Sequence, residues 1–189
     1  MSTSTSTPLT LLQGRLVQSP LLFRFLAKVI SGSLLIAIAA QIAIPFWPVP
    51  MTLQTTAVMA IGLVASPSVA VGSVIAYIIE GMIGIPVFSG FSRGISILFG
   101  TTGGYIFGFI PMVHIISSLK DRSASLSFRF GICLLGQTML YTIGVSYLSL
   151  FLGVSAAIQL GLIPFIIKIP ANILFAIFGV DVLQAIKKG

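Results

Sequence analysis

Long apolar stretches, separated by short polar or proline-rich segments, dominate the pattern along this chain. No Lys, Arg, Asp or Glu occurs in three long ranges, 29–79, 94–119 and 130–167. A helix needs roughly 20 apolar residues to cross a bilayer core about 30 Å thick. Runs such as LLIAIAAQIAI are apolar on every side, which favours helices over the alternating strands of a membrane barrel. The pattern therefore predicts an all-α membrane protein with several spans.

Prolines, glycines and charged residues divide the apolar ranges into six predicted transmembrane helices. We expect these helices at about 25–44, 52–64, 67–84, 101–119, 128–152 and 164–186. The prolines of IPFWPVP predict an extended loop after the first helix, because proline fixes φ and lacks an N–H. The Ser/Thr-rich N-terminus lacks the pattern of a signal peptide. We therefore predict a flexible tail over residues 1–20 and one six-helix domain over residues 21–189.

The basic residues fall mainly on one side when six helices are threaded through a membrane. Cytoplasmic loops of membrane proteins carry an excess of Lys and Arg. With both termini in the cytoplasm, six spans place eight of the ten basic residues inside. These eight are Arg15, Arg24, Lys28, Lys120, Arg122, Arg129, Lys187 and Lys188. The net charge of +7 is then explained by topology and by contact with anionic lipid headgroups, and nucleic acid is not an expected partner.

Two basic residues, Arg93 and Lys168, fall on the outer side and need a different explanation. A charge at membrane depth costs on the order of 3 kcal/mol or more unless it is paired or solvated. Lys168 either snorkels to the outer interface or is a cavity cation that pairs with an anionic substrate. Arg93 is either a solvated loop charge or a second such cation.

Further polar residues are predicted at the same depth in the outer half of the bundle. Gln54 opens the second helix, Glu80 lies near the outer end of the third, and Asn172 follows Lys168 by four residues on one helix face. Together these residues predict a site that offers cations to a carboxylate and acceptors to N–H groups. A buried ion pair between Glu80 and Lys168, with no ligand, is the alternative. Gln41 is interpreted as a hydrogen-bonding residue between helices.

Two surface features allow two interpretations each. Aromatic residues of the outer loops, including Trp47 and Phe91, either form an interfacial belt or cover a partly apolar ligand. Ser33 and Ala37 form a pair of small residues spaced by four on the first helix. Such a pair either packs inside the bundle or lets another membrane protein approach closely.

The motifs of common enzyme classes are absent from the sequence. There is no P-loop and no Gly-x-Ser-x-Gly motif, and a single His and a single Cys leave no metal-binding constellation. We therefore expect no enzymatic activity, no cofactor and no metal site.

Three segments carry a resemblance to a known family. The runs AQIAIPFWPVPMTLQTTAV (40–58), YIIEGMIGIPVFSG (77–90) and FGTTGGYIFGF (99–109) resemble, in this order, signatures of the BioY family of biotin transporters. The resemblance implies the high-affinity substrate-binding S component of an energy-coupling factor (ECF) transporter, an ABC-type system that takes up biotin across the bacterial cytoplasmic membrane. It also implies partners, namely a membrane coupling subunit and two cytoplasmic ATPases, which would explain the missing P-loop.

The resemblance also assigns roles to individual residues. The family's ligand-binding Gln, Arg and Lys fall on Gln54, Arg93 and Lys168 of this chain. The small-residue motif that docks the coupling subunit falls on Ser33 and Ala37.

One position departs from the family pattern. The family usually has an Asp three residues before the binding Lys, and this chain has Phe165 there. We expect Glu80 or Asn172 to replace the lost acceptor for the N–H groups of biotin. An S component for another small vitamin and a membrane assembly protein that transports nothing are the alternative functions.

The predicted topology can be tested by labelling single cysteines. In a Cys133→Ser background, Ser123→Cys and Lys187→Cys should react with a membrane-impermeant thiol reagent only after the cells are opened, because both positions are predicted to be cytoplasmic. Labelling of either position in intact cells would contradict six spans with cytoplasmic termini.

Overall fold

A computed structural model of the chain describes the backbone of residues 8–188 and the side chains of residues 20–186. Helices make up most of this part of the chain, and two short strands form a hairpin. The helices are α1 (Pro8–Gln41), α2 (Gln54–Val64), α3 (Pro67–Met82), α4 (Ile95–Leu98), α5 (Gly103–Leu119), α6 (Leu126–Leu152), α7 (Val154–Gly161), α8 (Ile163–Ile166) and α9 (Ile169–Lys188). The strands β1 (Ala43–Ile44) and β2 (Met51–Thr52) pair antiparallel after α1.

The first helix is longer at its N-terminal end than the sequence predicts. Residues 8–20 are helical in the structure, where a flexible tail is expected, and Pro20 lies inside α1. Pro8 suits a first helical position, because its missing N–H would be unpaired there in any case. Residues 1–7 of the predicted tail lie outside the described residues. The division of the chain into 1–20 and 21–189 stays a prediction.

The predicted last helix is interrupted, so that α8 and α9 are separate elements. Pro170, at the second position of α9, has no N–H to donate to the carbonyl four residues earlier. The backbone N–H of Lys168 donates instead to Phe165 O at 3.2 Å, and the N–H of Asn172 donates to Lys168 O at 2.9 Å. Lys168 therefore lies at a break between two helices and not within a continuous helix.

The outside of the bundle is apolar, as expected for a protein surrounded by lipid. Large side chains such as Ile38, Phe175 and Leu183 are exposed, whereas polar Ser73 and Gln137 are fully buried. By length and composition, three described helical segments can cross a membrane, Pro20–Gln41, Leu126–Leu152 and Ile169–Ile186. Apolar side chains thus lie on the outside as well as in the core, a distribution that suits a lipid environment.

The most extensive helix contact among the described residues joins α5 and α6, and glycines permit it. A Cβ atom on Gly104 would overlap the side chain of Tyr147, and one on Gly144 would overlap the ring of Tyr105. A Cβ on Gly108 would lie 2.9 Å from Leu140 Cδ1. Each helix thus presents glycine where the other presents a large side chain, which lets the two backbones approach closely.

The two ends of the bundle differ in their chemistry. At one end, Lys120 and Arg122 lie between α5 and α6, and Arg129 Nη1 near the start of α6 pairs with Asp181 Oδ1 of α9 at 2.7 Å. The hairpin of β1 and β2 follows the C-terminal end of α1, and the loop between α3 and α4 packs against that same end of α1. A basic end and a loop-rich end therefore lie at opposite ends of the helices.

The tight contact between α5 and α6 allows a prediction about the stability of the fold. Gly144→Ala should lower the free energy of unfolding by about 1–3 kcal/mol, because the new methyl group meets the ring of Tyr105. Gly131→Ala on the same helix is the matched control, since nothing lies within 4 Å of a Cβ there. The free energy of unfolding of the control should be unchanged or higher by up to about 1 kcal/mol, because alanine has a higher helix propensity than glycine. Thermal unfolding in one detergent compares the two, and equal or higher stability of Gly144→Ala would contradict the packing.

Candidate functional site

A cavity of about 250 Å³, here called the main cavity, lies at the loop-rich end of the bundle. This volume corresponds to that of about eight water molecules in the liquid. Side chains from α2, α3, α5, α6, α8 and the loops between them form its wall. The lining residues are Val49, Pro50, Thr52, Gln54, Thr55, Tyr77, Phe88, Ser89, Ser92, Ile97, Thr102, Tyr105, Ile106, Phe109, Leu140, Tyr141, Phe165 and Lys168.

Lys168 supplies the positive charge of the main cavity. Its Nζ lies 4.8 Å from the ring centroid of Phe165, within the range of a cation–π contact. No carboxylate and no hydrogen-bond acceptor pairs with this ammonium group among the described residues. The ring replaces only part of the hydration that the ammonium group loses on burial, so an anion in the cavity would be a favourable partner.

Gln54 is held in a defined orientation by its neighbours. Its Nε2 donates to the hydroxyl of Tyr77 at 2.6 Å, and its Oε1 accepts from Thr52 Oγ1 at 2.9 Å. The backbone N–H of Gln54 also donates to Thr52 Oγ1, at 3.3 Å. The hydroxyl proton of Tyr77 has no acceptor among the described residues, so it is available to a bound molecule.

Three aromatic rings, those of Tyr105, Tyr141 and Phe165, form one side of the main cavity beside Lys168. The rings of Tyr105 and Phe165 stack with centroids 6.4 Å apart and an angle of 27° between their planes. Tyr141 lies 5.9 Å from Phe165 and 6.3 Å from Tyr105, also measured between centroids. The hydroxyl of Tyr105 donates to Gly161 O at 2.9 Å. The wall can therefore pack against a planar or apolar group, with the hydroxyl of Tyr141 at its edge.

Gln41 fixes the loop that covers one side of the main cavity. Its Nε2 donates to Val87 O at 3.3 Å and to Phe88 O at 3.1 Å. Its Oε1 accepts from the backbone N–H of Phe91 at 2.9 Å. The interpretation of Gln41 as a hydrogen-bonding residue between helices is therefore corrected, because its partners beyond α1 are backbone groups of a loop. These hydrogen bonds of Gln41 position Phe88 and Ser89, which line the cavity.

Glu80 does not line the main cavity. Its Oε1 accepts from Ser33 Oγ at 2.7 Å, and its Oε2 is buried without a partner among the described residues. Glu80 therefore bonds to α1, whereas Tyr77, three residues earlier on α3, lines the cavity. The alternative of an ion pair between Glu80 and Lys168 is not observed in the described part of the chain.

Asn172 and Arg93 also lie outside the lining of the main cavity. Asn172 is half-buried in α9, one turn beyond Lys168, and its Nδ2 has no partner among the described residues. Arg93 is exposed on the loop before α4, while its neighbour Ser92 lines the cavity. The exposure of Arg93 favours a solvated loop charge, so only Gln54 and Lys168 of the five predicted binding residues reach the cavity directly.

The position of Ser33 disagrees with a docking role. Ser33 is fully buried between α1 and α3, and its hydroxyl donates to Ile30 O at 3.0 Å as well as to Glu80. A side chain inside the bundle cannot contact a second protein, so this residue belongs to the internal packing. Ala37 is half-buried and packs against the core.

Sequence reasoning missed the tyrosines of the site. Three of the four tyrosines in the chain, Tyr77, Tyr105 and Tyr141, line the main cavity. A tyrosine in an apolar helix combines a large ring with one hydrogen-bonding group, and that combination is a signal for a cavity wall. Thr52 and Thr55 carried no comparable signal, because a polar helix start also occurs where a helix begins in a loop.

The sequence model of one protein family matches most of the chain. The model of the BioY family matches residues 9–188. The protein of Pyrococcus horikoshii named "Probable biotin transporter BioY" is 41% identical over 133 residues, which cover 70% of this chain and 79% of that protein. "Biotin transporter BioY2" of Lactococcus lactis subsp. cremoris is 36% identical over 159 residues, which cover 82% of this chain and 87% of that protein.

A solved structure has the same fold. The crystal structure of the S-component for biotin from an ECF-type ABC transporter aligns with a TM-score of 0.72 and 25% sequence identity. The alignment covers 88% of this chain and 92% of that one.

Proposed function

This chain belongs to the BioY family, and from that premise we propose that it captures biotin in the main cavity and serves biotin uptake as the S component of an ECF-type transporter. The observation that carries the proposal is the ammonium group of Lys168, which has no anionic partner among the described residues and faces a cavity with an aromatic wall. Biotin combines a carboxylate with a planar ureido group and an apolar bicycle, so each part of the molecule has a complementary group in this cavity.

The polar ends of biotin fit different groups of the cavity. Its carboxylate pairs with Lys168, since an ion pair with hydrogen bonds is stronger than a neutral contact. Its ureido N–H groups donate to the side-chain oxygens of Gln54 and Thr52. Its ureido oxygen accepts from the hydroxyl of Tyr77. The oxygens of Gln54 and Thr52 thus replace the acceptor of the Asp that the family usually has at the position of Phe165. The ring of Phe165 packs against the bicycle. Glu80 and Asn172 lie outside the cavity lining.

Arg93 contributes to ligand binding through its electrostatic field and not through a contact. Its exposed guanidinium lies on the loop beside Ser92, so it raises the positive potential at the outer opening without contacting the ligand. Such a contribution is screened by salt, whereas a buried contact is screened much less.

The proposed topology has six spans, with both termini in the cytoplasm of a bacterial cell and the main cavity facing outward. The six spans are α1, α2, α3, α5, α6 and the pair α8–α9. The proposal is supported by the pair of Arg129 and Asp181, which lies at the end of the bundle opposite the main cavity. A basic inner end and an outer ligand cavity agree with the charge rule for membrane proteins.

We further propose a membrane coupling subunit and two cytoplasmic ATPases as partners, because the chain has no nucleotide-binding motif of its own. The docking contact lies on α1 at Ala37, where a small side chain leaves room for a second helix. Ser33 no longer belongs to this contact, because it is buried against α3.

Removing the charge of Lys168 tests the binding site. Lys168→Met keeps the length of the side chain and should weaken biotin binding by roughly 30-fold or more, as expected when one partner of a desolvated charge pair is lost. Equilibrium binding of labelled biotin to the purified chain measures this effect, with other vitamins as competitors.

Arg93→Gln is the matched control for the loss of a positive charge. It should weaken binding by no more than about tenfold, and the difference from the parent should disappear at high salt. Parent-like binding by folded Lys168→Met would refute the assignment, and better competition by another vitamin would refute biotin as the ligand.

A bulky side chain at Ala37 tests the docking contact. Ala37→Trp should leave biotin binding by the isolated chain intact and abolish ATP-driven uptake with the partner subunits, because it blocks close helix approach. Ile38→Trp is the control, since Ile38 is already large and exposed on the next position of α1. Unchanged uptake by Ala37→Trp, or loss of ligand binding by the folded variant, would show that docking does not occur there.

A further inference from the structure

A second cavity of about 610 Å³, here called the vestibule, adjoins the main cavity. Its wall includes Gln41, Pro45, Phe46, Trp47, Pro50 and Ser89. Pro50 and Ser89 line both cavities, so the two spaces are neighbours on either side of these residues.

The wall of the vestibule offers few unsatisfied polar groups. The side-chain amide of Gln41 already donates to Val87 O and Phe88 O and accepts from Phe91 N–H. Proline has no backbone N–H to donate. Trp47, which is 72% exposed, and Phe46 supply aromatic surface. The vestibule therefore suits an apolar or aromatic group better than a strongly hydrated one.

The charged group of the main cavity lies next to the vestibule. Lys168 Nζ packs on the ring of Phe165, 4.8 Å from its centroid. The ring of Phe165 in turn meets the ring of Phe46 edge to face, with centroids 6.4 Å apart. Because Phe46 lines the vestibule, the rings of Phe165 and Phe46 connect Lys168 to the wall of the vestibule.

We propose that the vestibule is a second subsite, which accepts an apolar or aromatic group attached through an amide to the carboxyl end of biotin. The inference rests on the proposed function, because it takes the carboxyl end of biotin to lie at Lys168. An amide at this position still presents a carbonyl oxygen that accepts a hydrogen bond from the ammonium group. The chain then binds biotin carboxamides whose amine part is aromatic, in addition to biotin itself.

Two amides of biotin distinguish the effect of the vestibule on affinity from the effect of losing the carboxylate charge. Biotin N-methylamide and biotin N-(4-nitrobenzyl)amide are equally uncharged at the carboxyl end, and only the second reaches into the vestibule. In displacement of labelled biotin from the purified chain, the nitrobenzyl amide should bind roughly fivefold more tightly, as expected for an added contact between aromatic rings.

Trp47→Ala should abolish this preference, and Phe91→Ala should retain it. Phe91 is a matched control, because it is also an exposed aromatic residue of an outer loop and does not line the vestibule. No preference in the parent chain would overturn the subsite, and so would a preference that Phe91→Ala removes equally.

The fluorescence of the parent chain gives a second test that needs no variant. Trp47 is the single tryptophan of the sequence, so its emission reports on the vestibule directly. The nitrobenzyl amide should quench this emission at concentrations that saturate binding, and the N-methylamide should not. Unchanged emission on saturation by the nitrobenzyl amide would overturn the subsite. If labelled biotin itself does not bind the parent chain, the proposed function fails and the subsite fails with it, whereas biotin binding without amide preference refutes the subsite alone.

Discussion

The interior of a bilayer contains almost no water, so each polar group of this protein needs a partner within the protein. That constraint determines where the polar side chains lie. The amide of Gln54 connects α2 to α3 through Tyr77, and the hydroxyl of Tyr105 connects α5 to Gly161 at the end of α7. Gln54 of α2, Tyr77 of α3 and Tyr105 of α5 also line the main cavity, so the bonds that satisfy these groups also position the site. Lys168 has no such partner among the described residues and faces the cavity, where a bound anion would satisfy it.

The aromatic wall depends on how closely α5 and α6 approach each other. Glycines on both helices leave room for large side chains of the other helix, as Gly144 does for Tyr105. Because the helices are so close, the rings of Tyr105 and Tyr141 come within 6.3 Å between centroids and join Phe165 on one side of the cavity. Small residues in the middle of the bundle thus determine the shape of a site at its end.

The sequence predicted the helical character and most helix ends, because gaps in the charge distribution and prolines are local signals. Gln54 and Lys168 were predicted from the same reasoning and reach the cavity, while the direction of a side chain around its helix could not be predicted. Glu80 and Ser33 illustrate this limit, because they were predicted to serve separate sites and instead bond to each other between α1 and α3. The break before α9 was also missed, although Pro170 is its physical cause, since proline near a helix start is equally compatible with one uninterrupted helix.

Three of the hydrogen bonds of Gln41 reach a loop at the outer end of the bundle and couple its position to that of α1. They join the last turn of α1 to the loop that carries Phe88 and Ser89, over a span of 46 to 50 residues in the sequence. A tilt of α1 would therefore carry this loop with it. A tilt of a few degrees about the inner end of α1 would move the loop at the mouth of the cavity by a distance that grows with the length of the helix.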